Sequence, residues 1–122
     1  MWDLPGSGVL AKAVGAALDA GRIVAAACHG PAGLVSAKTG EGRPVVEGRR
    51  VNCFTDSEEN AVGLTEVVPF LLESRLRTLG AQVGKAPDFQ PFALRDGSPG
   101  RTRPRRSGLL SWCWKRWRRA PA

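Results

Sequence analysis

Residues 22–34, RIVAAACHGPAGL, run a short apolar segment directly into a cysteine, a histidine and a Gly-Pro pair. A continuous apolar run of this length, opened by Ile23 and Val24, predicts a strand buried on both faces of a parallel sheet. Gly30 and Pro31 end that strand, and residues 30–37 predict a short helix. Cys28 and His29 therefore fall on the turn between strand and helix. Two readings of this turn stand side by side. Cysteine is among the most buried residue types and often only packs. A sharp strand-to-helix turn can also lift a thiol out of the sheet. Helix N–H donors then favour the thiolate and an adjacent imidazole can take its proton. The backbone N–H of His29 would face a developing oxyanion, and Gly30 leaves room for close backbone approach. His29 is the single histidine of the chain.

Working outward from this turn, residues 6–20 place Val9, Leu10, Val14 and Leu18 near helical spacing, with Ser7 as N-cap and Gly21 as stop. Residues 43–54, RPVVEGRRVNCF, carry two β-branched pieces around Glu47 and Gly48 and predict a hairpin. Leu71, Leu72, Leu76 and Leu79 predict a helix that starts near Thr65 or Glu66 and ends at Gly80. Two further short strands are expected at 82–86 and 91–97. Helices interleaved with strands predict an α/β fold. The segment FTDSEEN, residues 54–60, offers Asp56, Glu58 and Glu59 as acids that could orient the histidine, or as a solvated helix start favoured by the helix dipole.

At 122 residues the chain holds at most one small domain. No apolar run is long enough to span a bilayer, and the N-terminus lacks the pattern of a secretory signal. Cys28, Cys53 and Cys113 are odd in number and widely spaced, which argues against a zinc site or a disulfide framework and for a reducing cytoplasm. For Cys53, alternating within a predicted strand, and for Cys113, packing or no role is expected.

Charge is distributed unevenly. The chain carries +7, yet residues 98–122 hold seven Arg and one Lys with no acid, so residues 1–97 come to −1. The basic signature belongs to the tail alone.

Four stretches resemble one known family: MWDLP at 1–5, AAACHGPAGLV at 25–35, GRRVNCFTDSEENAVGLTEVVPFLLESRLRTLGA at 48–81, and KAPDFQPFALRDG at 85–97. Together they are similar to the ThiJ/PfpI superfamily, whose members have a class I glutamine-amidotransferase-like, flavodoxin-type fold. The likeness points to the heat-shock chaperone and glyoxalase III branch, often labelled type 1 glutamine amidotransferase domain-containing proteins. The resemblance implies Cys28 as nucleophile on a nucleophile elbow, His29 as its partner, and Glu59 in the third, acidic position of an FTDxxE segment. It further implies a small reactive carbonyl such as methylglyoxal as substrate, no added cofactor, no metal, and a homodimer. Glutamine hydrolysis does not follow from the fold.

The family carries about half a domain ahead of MWDLP, including a GGHG loop and an acid that hydrogen-bonds the cysteine. Residues 1–97 are thus expected to form the C-terminal portion of a three-layer sandwich, inactive or nearly so as written. After RDG the family resemblance stops. Residues 98–122 are rich in Arg, Pro and Trp, as G/C-rich coding DNA read out of frame tends to be. A back-translation read one base out of register permits the loop and apolar helix with which the family would continue. This tail is expected to be disordered and without selected function. Trp112, Trp114 and Trp117 among basic residues could instead stack on single-stranded nucleic acid or lie on an anionic membrane. No specific partner of either kind is expected, though nonspecific polyanion binding is.

Overall fold

The computed structural model describes residues 1–96, and the basic tail with its predicted disorder and polyanion binding lies outside the described residues. After a single 3-10 turn at Leu4–Gly6, helix α1 spans Gly8–Asp19. Its start is set as expected: Ser7 is extended, and its hydroxyl accepts the Leu10 N–H at 3.2 Å. Val14 and Gly15 form its buried face. Gly15 is required there by close approach, because a Cβ would stand 2.3 Å from the Lys38 carbonyl oxygen.

The segment expected as a buried central strand departs from prediction. Residues 22–27 join no strand ladder, and most are exposed, Ile23 at 79%. An apolar run becomes a buried strand only when neighbours pair with its backbone and cover its faces. Among the described residues it has no ladder partner. The helix expected at 30–37 is a 3-10 helix, Gly30–Leu34, with Pro31 in its first turn, where the missing N–H costs nothing.

The predicted hairpin around Gly48 is also replaced. Pro44 bridges back to Lys38 in antiparallel fashion, and the Gly48 N–H turns away to the Gly80 carbonyl at 2.9 Å. The following strand β1, Arg50–Val51, pairs in parallel with β2, Gln82–Val83, in the register Arg50↔Gln82 and Val51↔Val83. A parallel pair needs a crossover, and the intervening helices supply it.

That crossover holds two helices rather than one. Helix α2, Asp56–Ala61, is opened by a full capping box: the Thr55 hydroxyl accepts the Glu58 N–H while the Glu58 carboxylate accepts the Thr55 N–H. Helix α3, Leu72–Thr78, begins later than the leucine spacing suggested. Pro69 explains the delay, since the residue before a proline is pushed out of helical geometry. α3 ends where expected. Gly80 takes φ +87°, and the Ala81 and Gly80 N–H groups close back on the carbonyls of Leu76 and Arg77.

Val14, Ala32, Ala37, Val45, Val46, Leu72, Leu76 and Ala81 form the core between α1, the Gly30–Leu34 3-10 helix and α3. Leu72 and Leu76 are its largest members, each contributing roughly 1.5–3 kcal/mol by leaving water. Residues 91–96 run beside β1 without forming the predicted strand. They are held by side chains: Asn52 donates to the Phe92 carbonyl at 3.3 Å, Arg50 to that of Arg95 at 3.0 Å, and Arg49 pairs with Asp96 at 3.4 Å. The architecture is α/β as predicted, with a two-stranded parallel sheet among the described residues. No helix among them is long and apolar enough to cross a membrane.

Candidate active site

Cys28 adopts φ +57°, a left-handed conformation uncommon for a residue with a Cβ. Two backbone hydrogen bonds define this turn. The Gly30 N–H closes onto the Ala27 carbonyl at 2.8 Å, and the Phe54 N–H donates to the Cys28 carbonyl at 2.8 Å. Strained backbone of this kind persists only where surrounding structure imposes it, and such residues cluster at functional sites. The turn leaves Cys28 exposed.

His29 lies between this thiol and a buried acid. Its Nδ1 is 3.3 Å from the Cys28 Sγ, and its Nε2 is 2.7 Å from Glu59 Oε2. A carboxylate only accepts, so the neutral imidazole carries its proton on Nε2 and turns the Nδ1 lone pair toward sulfur. Exposure grades along the three groups: the Glu59 side chain is 3% accessible, that of His29 29%, and Cys28 faces water. The arrangement can move a proton from sulfur to Nδ1 while the carboxylate supports the imidazolium that results. Glu59 Oε1 is buried without a hydrogen-bond partner among the described residues, so all of the acid's hydrogen bonding there goes to the imidazole.

The three acids offered by the sequence separate by role. Glu59 reaches His29 because α2, capped by Thr55, carries it, one position beyond the capping box, into the interior. Glu58 closes the capping box and also accepts the Phe89 N–H at 2.8 Å. Burial acts to raise its pKa, but the N–H donors of Thr55 and Phe89 and the Thr55 hydroxyl outweigh it and hold the carboxyl below its usual value. Asp56 binds the hydroxyl and N–H of Ser74, tying α2 to α3.

Cys53 sits in a different setting. Burial, followed by the charges of Glu73, Asp56 and Glu58, pushes its thiol up from 9.0 to about 12 against a smaller opposing effect of Arg77. It is a packing cysteine, as its position suggested. Glu73 itself is held below the usual carboxylate value. Burial opposes this, and the Arg77 side chain, the Asp56 N–H and Lys85 prevail. Among the described residues no cluster of three or more His, Cys, Asp or Glu could hold a metal ion. The recess lined by Asp19, Thr39, Gly40, Glu41 and Arg43 contains none of Cys28, His29 and Glu59.

One neighbour of the site was not anticipated. The Phe54 ring stacks on the His29 imidazole, centroids 4.4 Å apart at 30°, and Phe89 meets Phe54 edge-on at 6.3 Å. The available signal was position: Phe54 directly precedes the cap of the helix that carries Glu59.

No protein-family model matches the chain. Among curated proteins it is 37% identical over 71 residues to Glyoxalase 3 of Candida albicans and 45% identical over 51 residues to a glutathione-independent glyoxalase of Saccharomyces cerevisiae. These matches take in 56% and 39% of this chain, which spans 29% and 21% of the two relatives' lengths. A crystallographic structure at 45% identity covers 79% of this chain and 43% of its own, with a TM-score of 0.77. The X-ray structure of the Rapid Encystment Protein of 24 kDa from Francisella tularensis, 34% identical, covers 75% of this chain and 40% of its own, with a TM-score of 0.72. Sequence likeness and shared backbone agree: the chain is related to the ThiJ/PfpI superfamily.

Proposed function

We propose that Cys28, His29 and Glu59 are the thiol, base and orienting acid of a glyoxalase-III-like site acting on small 2-oxoaldehydes such as methylglyoxal. The observation that supports this most directly is the imidazole bridging an exposed thiol at 3.3 Å and a buried carboxylate at 2.7 Å. The names of the curated relatives point the same way.

In the proposed first step the S–H proton passes to His29 Nδ1, sulfur bonds to the aldehyde carbon, and the carbonyl electrons become an oxyanion. The oxyanion takes the proton back, leaving a hemithioacetal. Transfer of hydrogen from the aldehyde carbon to the neighbouring ketone carbon, with the hemithioacetal hydroxyl proton passing to the former ketone oxygen, then gives a 2-hydroxyacyl thioester. Water releases it as the hydroxy acid and restores the thiol. The aldehyde carbon is oxidised and the ketone carbon reduced within one molecule, so no external oxidant or cofactor is required. Glu59 holds the imidazole in its orientation.

For the 122-residue polypeptide by itself we propose turnover near zero. Cys28 and residues 25–27 are exposed, so an oxyanion formed there would be met by water rather than by preorganised donors. Lactate formation from methylglyoxal is the test, with Cys28→Ala alongside. Robust turnover lost in Cys28→Ala would support the enzyme reading and overturn the proposed idleness. Failure of methylglyoxal to slow iodoacetamide alkylation of Cys28 would sink the carbonyl reading itself.

The exposed apolar residues Val9, Ile23 and Trp2 favour a second reading, a surface that holds unfolded clients without catalysis. That activity should survive Cys28→Ser in an aggregation assay. Homodimerisation and salt-sensitive polyanion binding through residues 98–122 are separate proposals. Sedimentation tests the first, and single-stranded DNA titration with the tail deleted tests the second.

A further inference from the structure

The Phe54 ring lies outside the core. It is partly exposed, and among the described residues it packs outside the apolar residues on the buried cluster and its ring meets His29 and Phe89. A phenyl group placed on an imidazole instead of on the available apolar interior calls for a local explanation. The same residue donates its backbone N–H to the Cys28 carbonyl at 2.8 Å, the contact that ties the left-handed turn to the segment leading into α2. Phe54 thus contacts both Cys28 and His29, the Cys28 carbonyl through its backbone and the imidazole through its ring. One residue later Thr55 caps α2, which delivers Glu59.

We propose that Phe54 is a positioning residue for the Cys28–His29–Glu59 relay. Its ring holds the imidazole plane at the tilt that directs Nδ1 at sulfur and Nε2 at the carboxylate. Rotation of the imidazole about its own bonds would break the 3.3 Å and 2.7 Å contacts together, because one rigid ring serves both. The stack at 4.4 Å resists that rotation on one face, and an aromatic face also favours the imidazolium formed when the thiol gives up its proton. Phe89 braces the assembly from the edge. It is itself held in a left-handed conformation at φ +59°, with its N–H donating to Glu58 and the neighbouring Asp88 accepting the Ser57 hydroxyl at 2.7 Å. This inference rests on the relay reading but does not require turnover.

The single histidine makes the test direct, since every imidazole signal in the chain belongs to His29. In the full chain, ring-proton NMR should show the His29 carbon-bound protons displaced by the Phe54 ring current, and nitrogen spectra should show the proton on Nε2. Phe54→Leu keeps the backbone donor and much of the bulk. It should abolish the displacement, mix the two tautomers, and slow iodoacetamide alkylation of Cys28 at neutral pH roughly three- to tenfold. Phe54→Tyr keeps the ring face and should restore all three readouts. A merely structural role would change the unfolding midpoint without changing the tautomer. Absence of the ring-current displacement in the unsubstituted chain would overturn the proposal whether or not Phe54→Leu folds. So would a folded Phe54→Leu with unchanged tautomer and alkylation rate. Loss of the relay reading would look different: Cys28 alkylation insensitive to Glu59→Gln, with the His29–Phe54 signature still present.

Discussion

Cys28 and Cys53 stand on either side of one backbone hydrogen bond, that from Phe54 N–H to the Cys28 carbonyl, and their surroundings are opposite in kind. Cys28 is mounted on a strained turn, open to water and beside a nitrogen that can take its proton. Cys53 is packed against the core two residues past β1, where loss of water and three carboxylates oppose its ionisation. The same side chain is a candidate reagent in one place and an inert filler in the other. Solvent and neighbouring charge make the difference, rather than the thiol itself.

The largest expected contrast is in alkylation. With its thiol pushed up to about 12, Cys53 is almost wholly protonated at pH 7. Iodoacetamide at neutral pH should modify Cys28 at least about a hundredfold faster than Cys53, read by peptide mass spectrometry. Equal rates would erase the distinction. Removing the core should erase it deliberately. Leu76→Ala, at a fully buried position, should cost about 2–5 kcal/mol in urea unfolding and bring Cys53 alkylation toward that of Cys28.

Glu59→Gln probes one side of the comparison only. It keeps the shape of the acid but removes the charge that supports the imidazolium, and it should slow Cys28 alkylation about tenfold while leaving Cys53 unchanged. A parallel fall at both sites would mean that the substitution had loosened the fold instead.

Stability against pH offers a smaller signal with a definite sign. The folded state raises the Cys53 value, so it favours the protonated thiol. That contribution is fully present below about pH 9 and is lost as pH rises toward 12. The urea midpoint should therefore fall on going from pH 9 to pH 11, and Cys53→Ala should flatten that limb. Glu58 and Glu73 act in the opposite direction. Their lowered values stabilise the fold above the usual carboxylate range, and this is lost as pH drops through the depressed values.

Local chemistry was legible in the chain itself wherever a few adjacent residues settle the matter. Ser7 capping α1, Gly80 ending α3, and the thiol–imidazole pair at 28–29 each depend on a backbone angle or a hydrogen bond within a handful of positions. Glu59 was singled out by its place in a recognisable segment, and the reason it rather than Glu58 or Asp56 meets His29 is the register of a six-residue helix set by Thr55. The failures lie where the outcome depended on distant segments. Residues 22–27 are apolar enough for a central strand, but burial needs partners across the sheet. The piece at 43–54 was patterned for a hairpin, yet Gly48 turned to Gly80 and β1 paired with β2 some thirty residues away. The Phe54 ring is an ordinary apolar residue in one dimension. Only the meeting of its segment with the Cys28 turn, tied by the Phe54 N–H to the Cys28 carbonyl, carries it onto His29, because a ring stack is a contact between segments and leaves no period in the sequence.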